Sequence, residues 1–322
     1  DFAEMLSEML GELNASHTGC RYYASGASLR TASLGLFLDE KWEGDGLKIK
    51  EVIKRGPFAV KKTGVKPGDI IESIDGVKIL AGADYNALLD GKAGKPVRIG
   101  VKGKKEDIIV KPISSGELEE LLYKRWVDRN RAFVDSISGG RIAYVHVKAM
   151  DSESFRKVYE ELLSESNRNR DAVVVDERHN GGGWLHDDLC TLLAGKEYQQ
   201  FVPRDKYIGR DPYNKWTKPS CVLICEDDYS NGHGFPWVYK ELGIGKLIGT
   251  PVAGTMTAVW WERLMDSSLV FGIPQVGCRD MRGVYGENTT LNPDIEVYNT
   301  PEDYINGYDR QLERAVREMM KK

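Results

Sequence analysis

Apolar positions recur every three to four residues over 1–14, "DFAEMLSEMLGELN". This spacing sets Phe2, Met5, Leu6, Met9, Leu10 and Leu13 on one face of an amphipathic helix. The small, polar run 15–30, "ASHTGCRYYASGASLR", ends that period and predicts a loop. Over 33–114 the pattern shortens to β-like runs, among them "SLGLFLDE", "LKIKEVI", "DIIESIDGVKI", "KPVRIGVKG" and "EDIIVKPI", broken by the turn signals "KPGD" and "DG". One helical stretch, "GADYNALLDGK", interrupts them, so the segment predicts a small, mostly β module of about the size of a minimal domain.

From residue 116 helix and strand patterns alternate. The helical stretches "GELEELLYKRWVDRNRAFVDSI", "SESFRKVYEELLSE", "GGGWLHDDLCTLLAG" and 232–242 are separated by the short apolar runs "RIAYVHV", "DAVVVDE", "SCVLICE" and "KLIGTPV". Runs this apolar suit strands buried on both faces, and their alternation with helices predicts parallel βαβ units. The tail, "PEDYINGYDRQLERAVREMM", predicts a closing helix, and the fold class is α/β.

A length of 322 residues suits one to three domains, and 41% hydrophobic with 29% charged residues suits a globular chain with ample core. The net charge of −4 is spread along the chain, which excludes a nucleic-acid footprint. No apolar run is long enough to span a bilayer. Five cysteines are spaced neither as metal ligands nor as a disulfide framework and read as reduced core or surface thiols. The chain begins at Asp1 without a methionine and reads as a fragment or processed form. The compartment stays open: cytoplasmic or, if a leader has been removed, periplasmic or secreted.

Two strand-to-helix junctions carry candidate chemistry. In "VVVDERHNGGGWLHDDL", 173–189, three glycines at the turn allow positive φ and a close approach to backbone N–H groups, half of an oxyanion hole. The plain alternative is a tight turn with Arg178 paired to Asp176. In "EDDYSNGHGFPW", 226–237, Ser230 sits where a buried strand hands over to a helix. It is either a helix N-cap, which serine favours, or a nucleophile beside the N–H of Asn231. GxSxG is not met, so the α/β-hydrolase signature is absent. A serine nucleophile needs a base. His146 lies inside a strand pattern, His179 and His186 flank the glycine turn, His233 is three residues past Ser230, and His17 lies in the loop "LNASHTG".

Taken in order, "DERHNGGGW", "DDYSNGHGFP", "KLIGTPVAG" and "GENTTLNPDIEV" resemble the core of the tail-specific, or carboxyl-terminal-processing, serine peptidases (family S41), and within them the tricorn branch. "ELNASHTG" resembles the tricorn motif in which a Ser-His pair precedes a PDZ domain, and 33–114 resembles that PDZ domain. The resemblance implies an N-terminal helical segment at 1–30 carrying Ser16 and His17, a PDZ-like domain at 31–115, and a crotonase-like (ClpP-like) α/β protease core at 116–322. It implies Ser230 as nucleophile, His17 as general base, Ser16 and Glu287 as the groups that orient His17, and Gly183 and Asn231 as oxyanion donors. "LGLF", Leu34, Gly35, Leu36 and Phe37, stands in place of the carboxylate-binding loop, with Gly35 and its neighbours expected to donate N–H groups. Members that use a lysine base carry it after the nucleophile strand. Here Thr255 stands about there, which leaves His17.

The implied function is hydrolysis of peptide bonds in a peptide or unfolded-protein substrate through an acyl-enzyme on Ser230, with no metal or organic cofactor implied and a homo-oligomer left open. Tricorn's β-propellers have no counterpart in this chain. A catalytically inactive peptide-binding protein with a PDZ domain is the rival reading. An acyl-CoA enzyme on the same core fold would leave the β module and the Ser16–His17 pair unexplained. The 195–219 segment is expected to line the specificity pocket, and the 15–18 loop to fold over the mouth of the α/β core beside the 229–232 turn.

Overall fold

The computed structural model describes residues 1–24 and 30–321, which form two compact units, Asp1–Ser25 with Asn130–Lys322 and Gly26–Arg129. The chain opens with α1 (Phe2–Gly11) and β1 (Gly19–Tyr22), which pack together. Ser7 ties them, its Oγ donating to the Cys20 carbonyl and accepting the Cys20 N–H. Of the loop expected at 15–30, residues 19–22 are therefore strand, and 25–29 lie outside the described residues.

The smaller unit holds β2 (Leu36–Leu38), β3 (Leu47–Val52), β4 (Ile70–Ile74), β5 (Val77–Lys78), β6 (Val97–Val101) and β7 (Ile108–Val110). The sheet runs β2-β3-β4-β6-β7 with β5 hairpinned on β4, and β2 is an edge strand. Ile49, Ile71, Ile74, Val97 and Ile99 fill its core; Val97 and Ile99 keep period two, while a register shift between Ile71 and Ser73 lets Ile71 and Ile74 both face inward. The helix expected in "GADYNALLDGK" is only a 3-10 turn, Asn86–Leu89. The Asp84 side chain accepts the Asn86 N–H, and Gly82 and Gly91 take left-handed φ on either side, so no longer run can nucleate.

α2 (Ser115–Ser138) leads into the α/β core. There follow β8 (Ile142–His146), α3 (Ser152–Leu162), α4 (Glu165–Arg168), β9 (Ala172–Asp176) and α5 (His186–Leu193). A hairpin of β10 (Gln199–Phe201) and β11 (Gly209–Asp211) precedes β12 (Ser220–Ile224), α6 (Asn231–Glu241) and β13 (Lys246–Gly249). Four strands then follow, β14 (Thr257–Val259), β15 (Glu262–Arg263), β16 (Leu269–Gly272) and β17 (Pro274–Gly277), before β18 (Ile295–Glu296), α7 (Pro301–Asn306) and α8 (Arg310–Met319). The expected closing helix is thus two, divided where Gly307 takes φ 66°.

The main sheet is parallel, in the order β18-β13-β12-β9-β8. Every residue of β9 and β12 is buried, which explains their unbroken apolar runs. Arg178 pairs with Asp176, Nη2 to Oδ2 at 2.7 Å, and reaches Asp309 and Gln311, fixing the start of α8 to the end of β9. Parallel neighbours end at the same edge, so the turns after β9 and β12 lie side by side, where open α/β sheets place their sites. No described helix is long and apolar enough to cross a membrane.

Candidate active site

Ser230 precedes α6 with φ 58° and ψ −119°, a conformation that strains any residue with a Cβ. Its hydroxyl makes no cap bond to the helix; its carbonyl accepts the N–H groups of His233 and Gly234 instead. The N-cap alternative therefore does not account for a serine here. Its own N–H donates to Thr255 Oγ1 at 2.8 Å, so Thr255 braces the corner.

The turn after β9 meets this corner. The Asn180 carbonyl accepts the Tyr229 N–H at 2.9 Å, and Asp228 accepts the N–H groups of Asn180 and Cys225 at 3.1 and 2.8 Å. Burial pushes the Asp228 carboxyl well above its usual range, although both N–H bonds pull the other way. A Cβ on Gly182 would lie 2.6 Å from Cβ of Ser230, and one on Gly183 would overlap the Met150 carbonyl. Gly183 takes φ 135°. Positive φ at the second and third glycines keeps them out of the helix, so α5 starts at His186 rather than at the triplet. Among the described residues, neither the Gly183 nor the Asn231 N–H has a hydrogen-bond partner. The Asn231 side chain accepts the Leu185 and His186 N–H groups, clasping the start of α5 to α6.

His17 reaches this edge from the N-terminal segment. Its N–H donates to Tyr229 Oη at 2.7 Å, and the two rings lie 4.8 Å apart. The 15–18 loop therefore sits beside the 229–232 turn. On the Nδ1 side, Ser16 Oγ lies 2.8 Å away and donates to Glu287 Oε2 at 2.9 Å, while the Ser16 N–H donates to Oε1 at 2.5 Å. Thr257 Oγ1 contacts both Ser16 Oγ and His17 Nδ1, at 2.8 and 3.0 Å. Partial burial lowers the His17 pKa, and the nearby Glu287 charge offsets part of that fall. The imidazole is accordingly neutral near pH 7 and able to accept a proton.

His17 and Ser230 both line a cavity of about 220 Å³, together with Gly183, Trp184, Met256 and Val259. No hydrogen bond joins the two side chains in this structure. The segment 195–219 does not contribute to this cavity, contrary to expectation; it is spent on the β10–β11 hairpin and on burying Trp216 in the core. The remaining histidines turn elsewhere: His146 to the Arg178 carbonyl, His179 to Asp227 and His186 to the Asn231 amide. His233 is buried, with its pKa lowered to about 4. Sequence reasoning missed Thr257 and Tyr229, whose roles depend on a strand and a ring stack that no local pattern marks.

In the PDZ-like segment Leu34 is buried, Gly35 takes φ 66°, Leu36 is half-buried, and Phe37 is exposed under the Arg125 guanidinium at 5.1 Å. The Gly35 N–H is already bonded to Ser33 Oγ at 3.1 Å, so it is not available as the expected carboxylate donor.

Residues 141–297 match the model of peptidase family S41, and 48–103 match that of a PDZ domain. Over 332 residues the chain is 28% identical to the tricorn protease of Thermoplasma acidophilum, covering 98% of this chain and 30% of that protein. Over 329 residues it is 30% identical to tricorn protease homolog 1 of Streptomyces coelicolor, covering 98% and 30%. It superposes on the crystal structure of the tricorn protease with a TM-score of 0.85 at 26% identity, over 97% of this chain and 31% of that one. The chain thus spans under a third of the length of these relatives. Along 98% of its length the chain is thus similar to tricorn proteases, with one segment matching peptidase family S41, a serine-type peptidase family, and another matching a PDZ domain.

Proposed function

We propose that the chain hydrolyses peptide bonds through an acyl-enzyme on Ser230. The observation that carries this reading is the strained, uncapped Ser230 sharing one cavity with His17, the end of a His17–Ser16–Glu287 chain. Ser230 Oγ attacks the scissile carbonyl while its proton passes to His17 Nε2. Nδ1–H then donates to Ser16 Oγ, whose own proton is held by Glu287, so the carboxylate steadies the imidazolium through a hydroxyl. The N–H groups of Gly183 and Asn231 receive the oxyanion. His17 returns the proton to the leaving amine, and water repeats the sequence to free the acid. Hydrogen bonds of this kind often tighten only with substrate bound, which accommodates the open Ser230–His17 contact.

Apart from His17 the cavity lining carries no ionisable side chain but the Cys278 thiol, which favours an uncharged residue before the scissile bond. Under this proposal the chain is organised as 1–30, 31–115 and 116–322, the first part supplying the base and the last the nucleophile. The 34–37 segment, which runs into the edge strand β2, receives a peptide by strand addition, with donors other than Gly35. Unfolded polypeptide is the expected substrate. Hydrolysis of fluorogenic peptides tests the reading: His17→Ala should be nearly as damaging as Ser230→Ala, since members of one catalytic unit are non-additive. A fully active His17→Ala variant overturns it.

A further inference from the structure

Behind the nucleophile corner three metal-ligating atoms converge from the ends of β9 and β12. His179 Nδ1 lies 2.9 Å from Asp227 Oδ2 and 3.7 Å from Cys225 Sγ, and all three donor atoms fall within 4.8 Å of one another. In sequence they are up to 48 residues apart, which is why no ligand spacing showed. The sulfur is buried and the other two groups are exposed, so an ion can enter from solvent and meet the thiol at the floor.

We propose that His179, Cys225 and Asp227 form a binding site for a thiophilic divalent cation of the Zn²⁺ class, with water completing a tetrahedral shell. Zn–S near 2.3 Å and Zn–N near 2.0 Å at a tetrahedral angle separate S and N by about 3.5 Å, close to the 3.7 Å observed. The 2.9 Å between N and O is a hydrogen bond that the ion replaces, and it opens by a few tenths of an ångström to do so. One imidazole, one thiolate and one carboxylate favour Zn²⁺ over Mg²⁺ or Ca²⁺, which take all-oxygen shells.

Burial first and then the nearby Asp228 push the Cys225 thiol up, so the ion itself must displace its proton. The His179 N–H donates to Cys225 Sγ at 3.2 Å, a bond that supports negative charge on sulfur. In the absence of metal the thiol proton points to Asp228 Oδ1 at 3.6 Å; on binding, that proton leaves to solvent and the S–metal bond forms.

The site joins the two turns that build the active site. Asp227 is three residues before Ser230, and His179 precedes Asn180, whose carbonyl accepts the Tyr229 N–H. A bound ion therefore staples the nucleophile corner to the glycine turn and raises the melting temperature.

Titration of the chelator-treated, untagged chain with Co²⁺ tests the site. A thiolate-to-cobalt charge-transfer band saturating at one equivalent, displaced by Zn²⁺, is expected. Cys225→Ser should abolish the band, and Cys278→Ser should leave it. His179→Ala and Asp227→Asn, both at exposed positions, should each weaken Zn²⁺ binding by at least about tenfold, even if Cys225→Ser fails to fold. Absence of the band, its survival in Cys225→Ser, or unchanged affinity in both exposed variants overturns the proposal.

Discussion

β9 and β12 are parallel neighbours buried along their whole length, and each feeds a helix through a turn, yet the two turns are built in opposite ways. The turn after β9 takes nine residues, 177–185, and spends three glycines to bring backbone against the neighbouring corner. The turn after β12 takes six, 225–230, and ends on a serine held at positive φ. The glycines of the first turn carry no side chain and offer only backbone groups. The second contributes a hydroxyl, at a strain cost of about 1–3 kcal/mol. The Asp228–Asn180 clasp offsets that cost by binding each turn to the other. On the proposed reading, a backbone donor and a side-chain nucleophile need different residue types at equivalent places, and each is held by its neighbour.

The largest effect that probes this contrast comes from Ser230→Gly. Peptide hydrolysis should fall by several orders of magnitude, as for any loss of the nucleophile. Stability in urea should rise by about 1 kcal/mol, because glycine adopts φ 58° without strain and the hydroxyl caps nothing. A variant both inactive and less stable would mean that the serine is a structural residue. Gly183→Ala tests the other turn. Its Cβ would meet the Met150 carbonyl, so kcat should drop by about 10²–10³ and stability should fall as well.

Glu287→Gln should be milder, because it leaves the proton-accepting atom in place. The Glu287 charge raises the His17 pKa against the effect of burial. Its removal lets that pKa fall further, so the acid limb of kcat/KM should move to lower pH while the plateau drops. A limb that stays in place would detach Glu287 from His17.

These expectations rest on residues that were unequally legible. Buried strands and the order of motifs were open to reading, because β9, β12 and the glycine triplet are local patterns. Convergence of Ser16, His17 and Glu287 is not local: Ser16 and Glu287 stand 271 residues apart and meet only once α1 and β1 pack with the core. The β14–β17 region stayed hidden because those strands are short and only β16 carries buried residues, so alternation is weak in "TAVWWERLMDSSLVFGIPQVG". With it went Thr257. The Asn86–Leu89 turn was overcalled as helix because apolar spacing alone outweighed the flanking glycines.

The smallest effect concerns Glu177, the first residue of the β9 turn. It is fully buried, and neither carboxylate oxygen has a hydrogen-bond partner among the described residues. Burial first, then the nearby Asp228 and Asp176, push its pKa well above the usual range. Since the folded value exceeds the unfolded one, Glu177 contributes stability at low pH that is lost as pH rises through the folded pKa. Glu177→Gln should flatten that decline and gain about 1 kcal/mol at pH 8, measured by urea unfolding at several pH values. An unchanged pH slope would mean that Glu177 is solvated in solution.

Labelling with a serine-directed fluorophosphonate, followed by mass-spectrometric mapping of the adduct, tests the central claim most directly. The account predicts one adduct, on Ser230, formed in the native chain and lost in Ser230→Ala, with the rate reduced by orders of magnitude in His17→Ala. An adduct on another residue, or labelling of Ser230 at an undiminished rate without His17, would contradict it.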